Sequence, residues 1–478
     1  MKKALIVIIL ILAMALSLFA CDAAENLNLS TKDDGVRNSS EAAPSVGGGG
    51  GSYAPKGDVG HDAGIHFDGS TSGIREGAYD MATGKTTADG EGVATEDGDE
   101  PNGEEEEIPT PRAGLLTACA YDDHEFAAYW QGLLTSTQEG DGEFAQYFKN
   151  YDFKALYQIT VTVEGMAGVK VSLMQGDTLL GKAVTNNAGV AYLFAPSRMS
   201  DLEVAADVPN FDTVVKKAVE NNAVTFTKEE VGGEEIKFET IQIMFVIDTT
   251  GSMWDEMDYL KEEIDDVIGR IKEQTGADVL LSIMVYRDYG DEYVTKYNDF
   301  SRDITAQQAF LKEQDADGGG DIPEAVEVAM TEAVGKQWSA NATKIIVHVA
   351  DAPSHDEDVA TWSAAATKAA EKGIRILSVA SSGIDKATEY LFRSQSLVSG
   401  GVYVWLTDDS GIGNGHLEGT VEKRPVVEPL NDCLVRVISA LHAGDKEITV
   451  FPQETEQGEE EPQSGEEQGE QGQPEPAE

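Results

Sequence analysis

The sequence predicts an α/β doubly wound parallel-sheet domain in its second half, a small all-β sandwich ahead of it, and long disordered acidic segments. Three observations predict this. From Ile241 onward, apolar strands without clean alternation are separated by helical patterns, which marks a parallel sheet covered on both faces. From about Leu156 the runs are short and alternating, which marks antiparallel strands with one buried face. Around them, 86 acidic against 35 basic residues give a net charge of −51, part of it in low-complexity stretches that bury too little apolar surface to fold.

Residues 1–20, MKKALIVIILILAMALSLFA, place two lysines before an apolar run that ends in small residues, the layout of an export signal. The apolar run is shorter than the ~20 residues that comfortably span a bilayer. Leu18, Phe19, Ala20 and Cys21 resemble a bacterial lipobox. That resemblance implies cleavage before Cys21, a lipid on its sulfur, and a chain held outside the cytoplasmic membrane, at the cell surface or the periplasmic face. Residues 21–112 are rich in Gly, Ser, Asp and Glu and read as a tether; as a coil of ~90 residues it has a root-mean-square span on the order of 50 Å. Residues 452–478 form a second acidic, disordered stretch, the tail. The charge argues against nucleic acid or anionic lipid as the main partner.

Two tempting motifs fail on spacing. MATGKTT has Tyr79 where a phosphate-binding loop needs its first glycine, and no apolar strand precedes it. In the ordered lead-in segment, 113–154, His124-Glu125 is followed by Ala128 where a metalloprotease helix needs its second histidine. After Cys21 only Cys119 and Cys433 remain; in an oxidising exterior they are candidates for one disulfide, and no Cys/His cluster has zinc-ligand spacing.

The sandwich is expected over 155–230, where ITVTV, VKVSLM, LLGKAVT, VAYLF, LEVAADV and AVTFT are punctuated by QGD and NNAG turns. GVKVSL followed by TNNAGVAYL resembles the carboxypeptidase regulatory-like, immunoglobulin-like modules of surface proteins. The α/β domain is expected over 240–445. IQIMFVI leads into the helix MWDEMDYLKEEIDDVIGRIKEQ, then come VLLSIMVY, the helical AQQAFLKEQ, and PEAVEVAMTEAVGKQ. KIIVHVA, IRILSVA and GVYVWL follow, each ahead of a further helix.

In such sheets ligands bind beyond the carboxyl ends of the strands, where strand order reverses. Asp248, Thr250 and Ser252 follow the first strand in FVIDTTGSM, Asp351 follows KIIVHVA, and Asp321 follows the glycines of DGGGDIPEA. Alone, DTTGS also fits a helix cap. Together the three elements look like the von Willebrand factor A domain and its metal-ion-dependent adhesion site, over about 200 residues from Ile241 to His442. YRDYGDE and ADAPSH look like the bacterial branch of that family. One element departs from the pattern: where the family usually has Gly-Gly-Thr, this chain has Gly319-Gly320-Asp321.

The resemblance implies that Thr250 and Ser252 contact a divalent metal directly, while Asp248 and Asp351 act partly through water. Mg²⁺, which takes six oxygens in near-octahedral array, is the first expectation, with Ca²⁺ or Mn²⁺ as alternatives; Asp321 as a third carboxylate favours Ca²⁺. An open position then awaits an oxygen from a protein or extracellular-matrix ligand, expected from an acidic side chain. His355 and Arg287 lie on loops of the same rim and read as ordinary surface residues. The expected function is a non-enzymatic, lipid-anchored adhesion protein that binds its ligand through the metal. The rivals are a subunit or scaffold of a membrane-associated or secreted assembly, and a metal-dependent hydrolase.

Overall fold

The computed structural model describes residues 110–135, 142–151, 153, 155–208, 214–232 and 234–453. It also describes the strands β1 (Tyr79–Asp80) and β2 (Lys85–Thr86), which pair antiparallel. The expected export signal, the lipidation residue Cys21, nearly all of the tether and the acidic tail lie outside the described residues.

The α/β domain is built on β11 (Thr240–Asp248), whose two faces are both apolar. Ile241, Ile243, Phe245 and Ile247 enter one core; Met244 and Val246, on alternate positions, enter another. Burial on both faces is why this strand shows no alternation in sequence. The other strands of the sheet are β3 (Thr117–Tyr121), β12 (Asp278–Tyr286), β13 (Thr295–Ser301), β14 (Ala342–Ala350), β15 (Ile374–Ala380), β16 (Tyr403–Leu406) and β17 (Glu428–Pro429). Their order is β13-β12-β11-β14-β15-β16-β3-β17. Strands β12, β11, β14, β15 and β16 run parallel, whereas β13 at one edge and β3 beside β16 run antiparallel to them; β17 pairs antiparallel with β3 and so runs with the parallel strands.

The sheet is therefore mixed, where a parallel one was expected. Both antiparallel additions come from segments whose pairing is fixed by distant partners. TKYNDFS of β13 is polar and half-exposed, as an edge strand is. TACAY of β3 comes from the lead-in segment and docks beside β16 across more than 280 residues of chain.

Helices α1 (Ala127–Thr135) and α2 (Ala145–Asn150) belong to the lead-in, and α3 (Lys228–Val231) is a single turn. The larger helices are α4 (Trp254–Thr275), α5 (Ile304–Lys312), α6 (Val326–Gly335), α7 (Val359–Lys372), α8 (Lys386–Ser399) and α9 (Leu430–Ala443). Helix α4 presents Met257, Leu260, Ile264, Val267, Ile268 and Ile271 at three- and four-residue spacing to the first core, which it shares with α9. Gly276 ends it in the left-handed region at φ +65°, donating to the Lys272 carbonyl. Helices α6, α7 and α8 cover the opposite core.

The lead-in is held down by buried charge. Glu263 of α4, fully buried, accepts from the backbone N–H groups of Gly114, Leu115 and Leu116. Arg393 of α8, also fully buried, forks onto Asp123 at 2.5 and 3.0 Å and reaches Glu389 at 3.1 Å. The rings of Tyr121, Trp130, Phe144 and Tyr403 surround its guanidinium.

Residues 157–226 form two further sheets about one apolar cluster. One has the order β10-β4-β7 and the other β6-β5-β8-β9, from β4 (Tyr157–Val163), β5 (Lys170–Gln175), β6 (Thr178–Val184), β7 (Val190–Ala195), β8 (Leu202–Asp207), β9 (Val215–Ala218) and β10 (Ala223–Phe226). The His124 ring stacks on Tyr192 at 3.8 Å, and Asn187 donates to the carbonyls of Phe238 and His442; both contacts join this part to the α/β domain.

The expected Cys119–Cys433 disulfide is corrected. Both are free, buried thiols. Alternation along β3 sends Cys119 with Tyr121 to one face of the sheet, whereas Cys433 of α9 packs with Ala118 and Ala120 on the other.

Candidate metal centre

Asp248 ends β11 and Asp351 directly follows β14, its parallel neighbour. The chain leaves β11 toward β12 on one side, and β14 lies on the other, so the two aspartates flank the point where strand order reverses. Thr250 and Ser252 sit in the turn between β11 and α4. This turn is wound by its own polar atoms: the backbone N–H and the hydroxyl of Thr250 donate to Asp248 Oδ1 at 2.9 and 2.7 Å, and the Thr250 and Ser252 hydroxyls are 3.3 Å apart. Ser252 also hydrogen-bonds the Asp351 side chain.

Three carboxylate oxygens in this region are buried without a hydrogen-bond partner: Asp248 Oδ2, Asp351 Oδ1 and Glu324 Oε2. Buried polar atoms are nearly always paired, so three orphans at one strand-end crevice ask for a cation. Glu324, which is 2% exposed, is the residue the sequence reading missed. Its N–H donates to the Pro353 carbonyl at 2.9 Å, in a bridge that ties the glycine loop to the segment after Asp351. Its side chain hydrogen-bonds Thr250. The sequence hint is slight: an acid between a proline and the apolar start of α6 reads equally well as an ordinary first-turn acid.

Asp321, expected as the third carboxylate, is exposed; it lines the mouth of the cleft instead. The cleft, about 380 Å³, is walled by Ser252, the glycine loop, Ile322, Glu324, Asp351 and Gly383. Gly319 makes room for it. At φ +80° it lies in the left-handed region, and a Cβ there would stand 3.0 Å from Glu324 Oε1 and 3.4 Å from Thr250 Cβ. A second groove, between β6 with β7 and α7, is lined by residues such as Leu180, Tyr192, Thr367 and Val398 and brings no carboxylate.

The electrostatics run in one direction. Burial pushes the Asp248 carboxyl from 3.8 up to about 6. Asp351 goes up to about 7 through burial and then the charge of Asp248. Glu324 goes furthest, to about 9, through burial and then repulsion from Asp248, Asp288 and Asp351. Each carboxyl resists ionisation first because it is buried and then because its neighbours are acids, and a cation among them reverses that logic. Thus the donor set of two hydroxyls and two or three carboxylates fits a hard divalent ion. Among the described residues, no group of three or more His, Cys, Asp or Glu side chains is itself arranged to hold a metal; here the hydroxyls of Thr250 and Ser252 stand between the acids.

The two rim residues are not ordinary surface side chains. Arg287 is buried, donates to the carbonyls of Thr249 and Asp315 at 3.1 and 2.8 Å, and lies over the Tyr293 ring. It braces the turn after β11 from behind. His355 pairs with Asp288 at 2.9 Å, which raises its pKa.

Residues 242–411 match the family model described as von Willebrand factor A domain, and the chain carries such an α/β domain there. An alpha-protein kinase, vwkA, of Dictyostelium discoideum is 28% identical over 156 residues, 29% of this chain and 25% of that protein. The ariadne-like RING finger protein R811 of Acanthamoeba polyphaga mimivirus is 30% identical over 115 residues, 24% of this chain and 11% of that protein. The chain thus matches a quarter or less of the length of these curated relatives. Among solved structures, the SpRpn10 VWA domain aligns with a TM-score of 0.26 at 12% identity, over 33% of this chain and 82% of that one.

Proposed function

We propose that this chain is a metal-dependent binding protein: Asp248, Thr250, Ser252 and Asp351 hold a divalent cation, and the open side of the cleft receives an oxygen donor from a protein or matrix partner. One observation carries the reading. Two buried aspartate oxygens without partners, one at the end of β11 and one just after β14, share a crevice with the hydroxyls of Thr250 and Ser252. The metal, Mg²⁺ first with Ca²⁺ and Mn²⁺ as alternatives, supplies charge neutralisation for these oxygens and a coordination position for the partner.

The same reading extends to the rest of the chain. The first 20 residues export it, Cys21 carries the lipid, and the tether and the β-sandwich are spacers that lift the metal centre off the membrane. No catalytic step is assigned. The curated relatives favour a module that works inside larger proteins, which is compatible with a role as a subunit of an assembly.

The test is calorimetric titration of the folded chain with Mg²⁺, Mn²⁺ and Ca²⁺. Asp248→Ala abolishes binding while the circular dichroism spectrum is kept; undiminished affinity in that variant refutes the site. Recovery of a partner from membranes with and without chelator then identifies what the metal grips.

A further inference from the structure

The cleft carries more negative charge than a divalent ion neutralises. Asp248, Asp351 and Glu324 bring three carboxyl groups around Thr250 and Ser252, and each has a buried oxygen without a partner. The surroundings add to this. Asp321 stands exposed at the mouth, and Asp317, 77% exposed one residue before the glycine loop, has a long 3.9 Å ion pair with Arg287. Asp291 donates nothing and accepts from the Gly319 N–H at 3.0 Å, so its charge faces the same loop. Among the described residues, the cations of this loop are already engaged: Arg287 by backbone carbonyls and Asp317, and His355 by Asp288. Amid this charge, Ile322 lines the cleft with 76% of its surface in water.

Resting on the metal-binding reading above, we infer that the centre recognises a protein segment bearing lysine or arginine, which offers the ion a neutral oxygen from a backbone carbonyl or a side-chain amide and packs its stem on Ile322. Glu324 makes the centre refuse carboxylates, because it supplies within the protein the negative charge that an acidic partner would bring. A third carboxyl beside Thr250 leaves the loaded cluster at a formal −1, and a partner carboxylate makes it −2 in a half-enclosed space. The repulsion of a further like charge a few ångströms away, screened by salt, is expected to cost an acidic partner about tenfold in affinity. The long alkyl stem of a lysine or arginine covers an exposed aliphatic side chain while its charged head meets the acids of the rim.

The experiment uses the full chain loaded with Mn²⁺ at physiological salt and reads the relaxation enhancement of water protons, which falls when an inner-sphere water is displaced. Two decapeptides serve as probes, one alternating lysine and glutamine, the other glutamate and glutamine, with acetate as a small carboxylate. The lysine peptide displaces water at a concentration at least about tenfold lower than the glutamate peptide, and acetate has no effect at tens of millimolar. In Glu324→Gln the gap narrows to about threefold or less and acetate begins to displace water. The wild-type comparison stands alone if that variant fails to fold. Equal potency of the two peptides on the wild-type protein overturns the inference while leaving the metal site intact. No enhancement with Mn²⁺ at all overturns the underlying reading instead.

Discussion

Replacing Asp248 with asparagine should make the metal-free protein more stable. Asp248 is fully buried, its Oδ1 is satisfied by Thr250, its Oδ2 has no hydrogen bond of good geometry, and the Tyr286 hydroxyl is its other neighbour that can donate. Asparagine keeps an acceptor for the two Thr250 bonds and turns its amide toward acids that need donors. The folded protein holds the Asp248 proton up to about pH 6, whereas an unfolded aspartate loses it near 3.8. The folded state therefore binds more protons in that window, and stability falls as pH rises from about 4 to 6 and stays low above. At ~1.36 kcal/mol for each tenfold change in proton affinity the loss is roughly 3 kcal/mol, which asparagine avoids. For a domain of this size that is roughly 5 °C or more in Tm. Thermal unfolding at pH 8 in EDTA is the assay. Mg²⁺ at 100 times its Kd then stabilises the wild type by about 2.7 kcal/mol and the variant not at all, closing the gap. A variant that melts below the wild type in EDTA, or that gains as much from Mg²⁺, refutes the reasoning.

Two other outcomes follow from the same geometry. Metal affinity should rise with pH, because the carboxyls of Asp248, Asp351 and Glu324, pushed up to about 6, about 7 and about 9 in the metal-free protein, must lose their protons to solvent for the ion to bind. Titration in two buffers of different ionisation enthalpy at pH 6 should show net proton release, and a pH-independent affinity between 5 and 8 would count against the cluster. Away from the site, Arg393→Met leaves Asp123 and Glu389 buried without their guanidinium, at a cost of about 3–5 kcal/mol in urea unfolding. A loss below about 1 kcal/mol would mean that the Arg393 ion pairs are not what holds the lead-in.

Much of this was legible in the sequence, and the limits follow from what periodicity can report. The α/β alternation from Ile241 onward predicted the central strands and their helices, because a strand buried on both faces and a helix buried on one leave different patterns. FVIDTTGSM located Asp248, Thr250 and Ser252 because the first strand and the turn after it are continuous in the chain. The edge strands were missed: TACAY and TKYNDFS are placed by partners far away in sequence, and a short segment says nothing of what it pairs with. The disulfide failed for a related reason. Two cysteines in a sequence carry no side of a sheet; the pairing of β3 with β16 turns Cys119 to one face, and the packing of α9 puts Cys433 on the other.

The same division holds inside the candidate site. Sequence by itself determined which residue types end the first and fourth core strands, and therefore that oxygen donors gather at the switch point of the sheet. Only the tertiary structure decided which acid of DGGGDIPEA turns inward. A run of glycines frees the backbone to turn either acid in, and spacing cannot choose between Asp321 and Glu324. The choice is made by the bridge from Glu324 to the segment after β14, which buries that carboxyl beside Thr250 and leaves Asp321 in water.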